Sequence, residues 1–261
     1  MTTTWTRHVH EERVWGTVVT FDLRDEGLDA TRAREAAAAA AEELHRIDAW
    51  LSPFREDSAV TAIRRDGRAQ DTAPEPVREV IAGCSSATLL TRGAFDPWRA
   101  PGGFDPSGYV KGWGADRAAE ILVAHGIPNV SVNAAGDVTC RGRAHIGADG
   151  WRIGIADPRD RHQIVGSVLV RDAHLATSGR YEQGDHIVDP RTGQPVCGVD
   201  SATVLAADGG LADAVATALM VDGPAGLARL VDRPVSAQVV SRGCVWTIDP
   251  AFATRSDVRA A

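Results

Sequence analysis

Asp213 and Thr217 are the only polar side chains in the stretch 211–221, and they stand four residues apart. Leu211, Ala214, Val215, Ala218 and Leu219 follow helical spacing, and a helix that is apolar nearly all round is a buried one. Residues i and i+4 share a helix face, so the carboxylate and the hydroxyl point to the same side. A buried carboxylate is costly unless a cation or a metal offsets it. A carboxylate beside a hydroxyl is a hard-oxygen pair of the kind Mg²⁺ accepts, with phosphate oxygens at its other positions. The spacing equally fits an aspartate bonded to backbone amides and a threonine bonded back to its own helix, and both readings stand at this point.

A second set of residues runs from Asp105 to Asp116, Asp-Pro-Ser-Gly-Tyr-Val-Lys-Gly-Trp-Gly-Ala-Asp. It joins a loop to a helix start near Gly112, where free amides and the helix dipole suit an anion. Lys111 adds positive charge there, and Gly108, Gly112 and Gly114 permit close backbone approach. Neither the Walker spacing nor Gly-x-Gly-x-x-Gly occurs, and a plain helix start with a solvated lysine has the same pattern. A third set, residues 176–193, holds His186, which could act as a general base or touch a phosphate or be structural. The same stretch holds Asp189-Pro-Arg-Thr-Gly193, a tight-turn sequence. Gly93-Ala94-Phe95-Asp96-Pro is a further loop, and Trp15, Phe54 and Phe95 could stack on a flat ring. Together these residues point to a site for a large phosphorylated ligand without identifying it.

The elements that must position them are legible by pattern. A strand is predicted over Val14–Leu23, and helices over 30–50 (Asp29 and Thr31 as caps), 75–91 (ending at Gly93) and 112–125. Strands follow at 129–133, 151–156, 164–170, 186–188 and 202–206. The buried helix at 211–222 comes next, then a short helix near 225–231 and strands at 237–241 and 245–248. Helices and strands mix without regular βαβ alternation, which predicts α+β, in one domain spanning 1–261 with its core at about 14–248. The chain has 261 residues, 44% of them apolar, and a net charge of −7, which argues against a nucleic-acid surface. Cys84, Cys140, Cys197 and Cys244 are scattered and form no CxxC motif. No signal-peptide core, lipid-attachment cysteine or apolar run of about 20 residues is evident. The expectation is a cytoplasmic protein without membrane insertion.

In chain order the markers are Trp15-Gly-Thr, Phe54-Arg-Glu-Asp-Ser, Gly93-Ala-Phe-Asp and Asp105–Asp116 around Lys111-Gly. Then come Asn133-Ala-Ala-Gly-Asp137, Trp151-Arg-Ile-Gly-Ile-Ala-Asp-Pro158, Ala176-Thr-Ser-Gly179, His186-Ile-Val-Asp-Pro-Arg-Thr-Gly193 and Ala212-Asp-Ala-Val-Ala-Thr217. Any one of these is weak, but the ordered set resembles the FAD:protein FMN transferases, the ApbE flavin transferase family, over nearly the whole chain. The resemblance implies the family's two-part α+β fold, related to the T-fold. It also implies an enzyme that cleaves FAD, joins FMN through a phosphodiester to a Thr or Ser hydroxyl of an acceptor flavoprotein, and releases AMP. Carried over, Asp213, Thr217 and the Gly108 carbonyl would hold Mg²⁺, and Mn²⁺ suits the same oxygen ligands. Trp15, Phe54, Ala94, Phe95, Asp96, Asp105, Lys111 and Val188 would contact FAD. Lys111 and Asp213 would serve the chemistry by sharing or offsetting developing charge, and His186 or a nearby acid would take the hydroxyl proton. Trp15 stands where the family has Met, and Ala135 and Gly108 stand where it has Gly and often Ala. The same site would also serve a Mg²⁺-dependent FAD pyrophosphatase or, without chemistry, an FAD-binding protein.

Overall fold

In a computed structural model, residues 4–160, 162–179, 188–248 and 252–254 are described, the last three for their backbone alone. The N-terminal strand β1 (Trp5–Val14) alternates exposed and half-buried residues. Trp15 and Gly16, with φ of 56° and 70°, turn it into β2 (Thr17–Glu26), in the two-residue hairpin form that matches strand twist. The sequence predicts strand only from Val14 to Leu23. β1 lies at the sheet edge and carries Arg7, His8, His10, Glu11 and Glu12, so it lacks the apolar alternation that marks a half-buried strand.

Helix α1 (Ala30–Leu51) starts on Asp29, whose carboxylate accepts from the amides of Thr31 and Arg32. Helix α2 (Ala59–Arg65), which the sequence reading lacks, is capped by Ser58. Helix α3 (Glu75–Thr91) ends through Arg92 and Gly93 in left-handed conformations. Helix α4 (Ser107–Ala124) begins well before the expected 112, with Gly108 departing from helical geometry at φ −80°, ψ 22°. Two glycines so near its start lower helix propensity, which is why the pattern predicted loop there.

Strands β3 (Asn129–Ala134), β4 (Asp137–Arg141), β5 (Trp151–Ala156), β6 (Ile164–Val170), β7 (Ala173–Gly179), β8 (Val188–Asp189) and β9 (Gln194–Pro195) follow. After β10 (Ser201–Ala206) comes α5 (Gly209–Asp222), started by Asp208 accepting from the Leu211 amide. A 3₁₀ helix at Gly223–Arg229, β11 (Val235–Ser241), β12 (Cys244–Ile248) and β13 (Phe252–Thr254) complete the described chain.

The result is an α+β fold. An antiparallel eight-stranded sheet runs β1-β2-β3-β4-β7-β10-β11-β12, and β13-β6-β5 form a smaller one. Helices α1, α4 and α5 pack on the large sheet. Val138, Cys140 and Leu175 of β4 and β7 meet Trp151, Ile155 and Val168 of the small sheet in a separate apolar cluster. The 21-residue stretch Gly209–Arg229 is long and apolar enough to cross a membrane, a feature the sequence reading did not register. In the fold it is α5 plus the 3₁₀ helix, mostly buried against β7 and β10.

Candidate functional site

Where α4 and α5 cross, their backbones nearly touch. A Cβ on Gly112 would lie 2.0 Å from the Gly209 carbonyl oxygen, and one on Gly209 would lie 2.4 Å from the Gly112 oxygen. Only glycine fits at such an approach. The crossing presses the first turns of α4 against the polar face of α5. A Cβ on Gly108 would come 3.0 Å from Thr217 Oγ1, and the Gly112 amide donates to Asp213 Oδ2 at 3.4 Å. Asp213 is 3% exposed, so the expected buried carboxylate is present and shares its side of α5 with Thr217. Ser178 of β7 brings its hydroxyl to 3.4 Å from Thr217 Oγ1.

This corner is the floor of a cleft of about 310 Å³, lined by Phe54, Ala94, Phe95, Asp96, Asp105, Ser107, Gly108, Lys111, Ser178, Val188, Asp213 and Thr217, among others. That volume falls in the range of small-molecule sites. Lys111 projects from the second turn of α4, not from a helix start as expected, and its Nζ lies 3.0 Å from Asp137 Oδ2. Asp137 is 1% exposed and also accepts from the Thr177 amide. The sequence carries Asp137 in a recognisable motif, but its pairing with Lys111 joins β4 to α4 and has no local signal.

The walls are held by hydrogen bonds. Arg64 of α2 donates to the carbonyls of Pro53 and Phe104 and to Asp105 Oδ2, and Asp105 Oδ1 accepts from the Ser107 amide and hydroxyl. Arg64 has no place in the sequence reading either, since its partners lie in two segments, at Pro53 and at Phe104 and Asp105, both remote from it in sequence. Thr91 Oγ1 accepts from the Phe95 amide at 3.2 Å, and Asp96 caps the following 3₁₀ turn through the Trp98 amide. Phe54 stands at the mouth, 93% exposed. Trp15 does not line this cleft. Its ring packs on α4, where a Cβ on Gly114 would meet it at 2.6 Å. His186 lies outside the described residues.

Behind the floor, Asp116 of α4 ties the start of α5 to the sheet. Its carboxylate accepts from the Gly209 amide (2.7 Å), the Thr139 hydroxyl (2.8 Å) and Arg141 (3.2 Å), with His174 Nδ1 3.7 Å away. Burial pushes the Asp116 carboxyl up. The nearby His174 imidazole, the charge of Arg141 and the Thr139 hydroxyl bond outweigh this and hold it below the ordinary carboxylate value. Burial, with the nearby Asp213 charge, pushes the Cys84 thiol up, so that cysteine has no thiolate for chemistry.

Among the described residues no cluster of three His, Cys, Asp or Glu side chains could hold a metal ion. The donor set at the floor is one carboxylate, hydroxyls and a carbonyl turned off the helical line at Gly108. That set suits Mg²⁺, which takes one or two carboxylates and completes its shell with substrate phosphates and water.

The ApbE family model matches residues 1–103 and 99–240. The chain belongs to the ApbE family. A FAD:protein FMN transferase of Rhodobacter capsulatus is 37% identical over 188 residues, covering 68% of this chain and 34% of that protein. A FAD:protein FMN transferase of Vibrio cholerae is 39% identical over 129 residues, covering 46% of this chain and 38% of that protein. The chain thus spans little more than a third of these two relatives. The Escherichia coli FAD:protein FMN transferase is 27% identical over 76% of this chain and 74% of its own length. Among solved structures, the flavin transferase ApbE from Vibrio cholerae superposes with a TM-score of 0.81 at 21% identity, covering 97% of this chain and 98% of that one. The apo Pseudomonas stutzeri flavinyl transferase ApbE gives 0.78 at 22%, covering 97% and 96%. In this ApbE chain the turn from β3 to β4 carries Ala135 at a φ of 57°.

Proposed function

We propose that this chain is a Mg²⁺-dependent flavin transferase. It would cleave FAD and join FMN through a phosphodiester to a Thr or Ser hydroxyl of an acceptor flavoprotein. The observation that carries the reading is the meeting of Gly108, Asp213 and Thr217 on the floor of a cleft whose wall presents Lys111. FAD would lie along Phe54, Phe95, Asp105 and Val188 with its pyrophosphate on that floor. The acceptor oxygen attacks the phosphorus of the FMN half, the P–O bond to the AMP half breaks, and AMP leaves with that electron pair. The hydroxyl proton passes to a base, a role we assign to His186 or a nearby acid. Lys111 shares the charge that develops, since such a step depends on positioning and charge neutralisation more than on covalent help. Asp213, Thr217 and the Gly108 carbonyl would hold the Mg²⁺, whose chemistry is to neutralise the pyrophosphate oxygens.

The test incubates the protein with FAD and Mg²⁺, with and without an acceptor bearing a Thr site, and reads AMP release and flavin fluorescence on the denatured acceptor. Covalent flavin is expected, lost on chelation and reduced by about 100-fold or more in Asp213→Ala. Transfer that survives both changes refutes the metal role. AMP without covalent flavin assigns hydrolysis instead.

A further inference from the structure

Asp222 closes α5 at its C-terminal end, where the helix dipole disfavours a negative charge. Its side chain is 8% exposed, and two arginines converge on it. Arg191 Nη2 donates to Asp222 Oδ1 at 2.8 Å, and Arg229 Nη1 pairs with the other carboxylate oxygen. An acid at the unfavourable end of a helix, buried between two cations, is a local conflict of the sort that marks a functional constraint.

Each arginine reaches a different cleft wall. Arg191 sits in the turn after Val188 and grips Asp189 with Nε and Nη2, both at 2.9 Å. Its stem also runs beside Gly93, where a Cβ would lie 3.8 Å from Arg191 Cγ. Arg229 donates to the Thr91 carbonyl at 3.3 Å, and Thr91 in turn fixes the Phe95 amide. Neither arginine is among the cleft-lining residues, whereas Val188, Pro190, Ala94 and Phe95 are. One carboxylate on the helix that carries Asp213 and Thr217 therefore sets the distance from that helix to both walls.

We infer that Asp222 is a positioning residue for FAD, fixing the 188–193 and 91–96 walls against α5 through Arg191 and Arg229. The inference rests on the proposed flavin-transferase reading. Losing Asp222 leaves two cations facing each other and frees both walls, while Asp213 and Thr217 keep their places earlier on the helix. Binding of FAD should weaken, and the chemical step of bound FAD should change little.

The experiment measures FAD dissociation constants by flavin fluorescence, together with KM and kcat for AMP release at saturating Mg²⁺. The proteins compared are the parent, Asp222→Asn, Asp222→Glu and Arg191→Gln. Asp222→Asn and Arg191→Gln are expected to raise the dissociation constant and KM about tenfold with kcat within about threefold, and Asp222→Glu to recover part of the loss. If Asp222→Asn does not fold, Arg191→Gln, at a half-exposed turn, carries the test. Unchanged constants overturn the inference, as does a fall in kcat equal to the rise in KM. A parent protein that binds no FAD removes the flavin reading itself, and this inference with it. A parent that binds FAD beside variants that match it removes this inference alone.

Discussion

Among the described residues three carboxylates, Glu43, Asp137 and Asp213, are almost wholly withdrawn from water, and each is compensated differently, Glu43 by Arg46 and Arg117. Asp137 faces the Lys111 ammonium, whereas Asp213 takes the Gly112 amide beside Thr217 on the cleft floor. The Asp213–Thr217 pair is legible in the sequence because a helix places i and i+4 together. The Lys111–Asp137 pair is not, because it joins two elements and depends on how the β3–β4 turn delivers Asp137. That turn contains a strain of its own. Ala135 holds a φ of 57°, a region that costs a residue with a Cβ about 1–2 kcal/mol. Glycine would relieve this but adds about 0.4–1 kcal/mol of unfolded-chain entropy, so Ala135→Gly should gain roughly 0.5–1 kcal/mol. Urea unfolding measures this directly. A variant less stable than its parent would mean that the turn has no strain to release.

The crossing of α4 and α5 is the element on which the site depends, since it sets Gly108 and Lys111 against Asp213 and Thr217. It rests on backbone against backbone at Gly112 and Gly209, and a backbone cannot swing aside as a side chain can. Gly112→Ala must push the helices apart, so it should cost about 1–3 kcal/mol of stability as an overpacked contact. Because the shift falls within the site, AMP release by the proposed flavin transferase should drop about 100-fold. Chemical unfolding and the FAD cleavage assay check the two parts. Full activity in a destabilised variant would separate the crossing from the site. Elements with strong end signals are legible, as in α1 with its Asp29 cap and α3 with its stop at Gly93. The early start of α4 is hidden by its glycines. Strands β4 and β7 are absent from the sequence reading because both their faces are buried, and Thr139 and His174 interrupt any apolar alternation.

Those two strands join the layers of the molecule. One face meets the small sheet through Val138, Cys140 and Leu175, and the other turns Thr139 and His174 toward Asp116 and the start of α5. Asp116 is therefore a fastening between helices and sheet, and its charge makes the fastening depend on pH. Burial raises its carboxyl, but the nearby His174 imidazole, the charge of Arg141 and the Thr139 hydroxyl bond bring it below its ordinary value. A group whose folded value lies below its unfolded one, about 3.9 for aspartate, contributes stability that is fully present above the unfolded value. That contribution disappears as pH falls through the folded value. Asp116→Asn, which leaves Arg141 without its counter-charge, should cost about 3 kcal/mol at neutral pH. The gap to the parent should narrow as pH is lowered below about 4, because the parent then protonates the group that the variant lacks. Urea unfolding of both proteins from neutral pH to about pH 3 follows the gap across that window. A gap that stays constant throughout would show that Asp116 holds the layers by shape and neutral hydrogen bonds, with its charge contributing nothing.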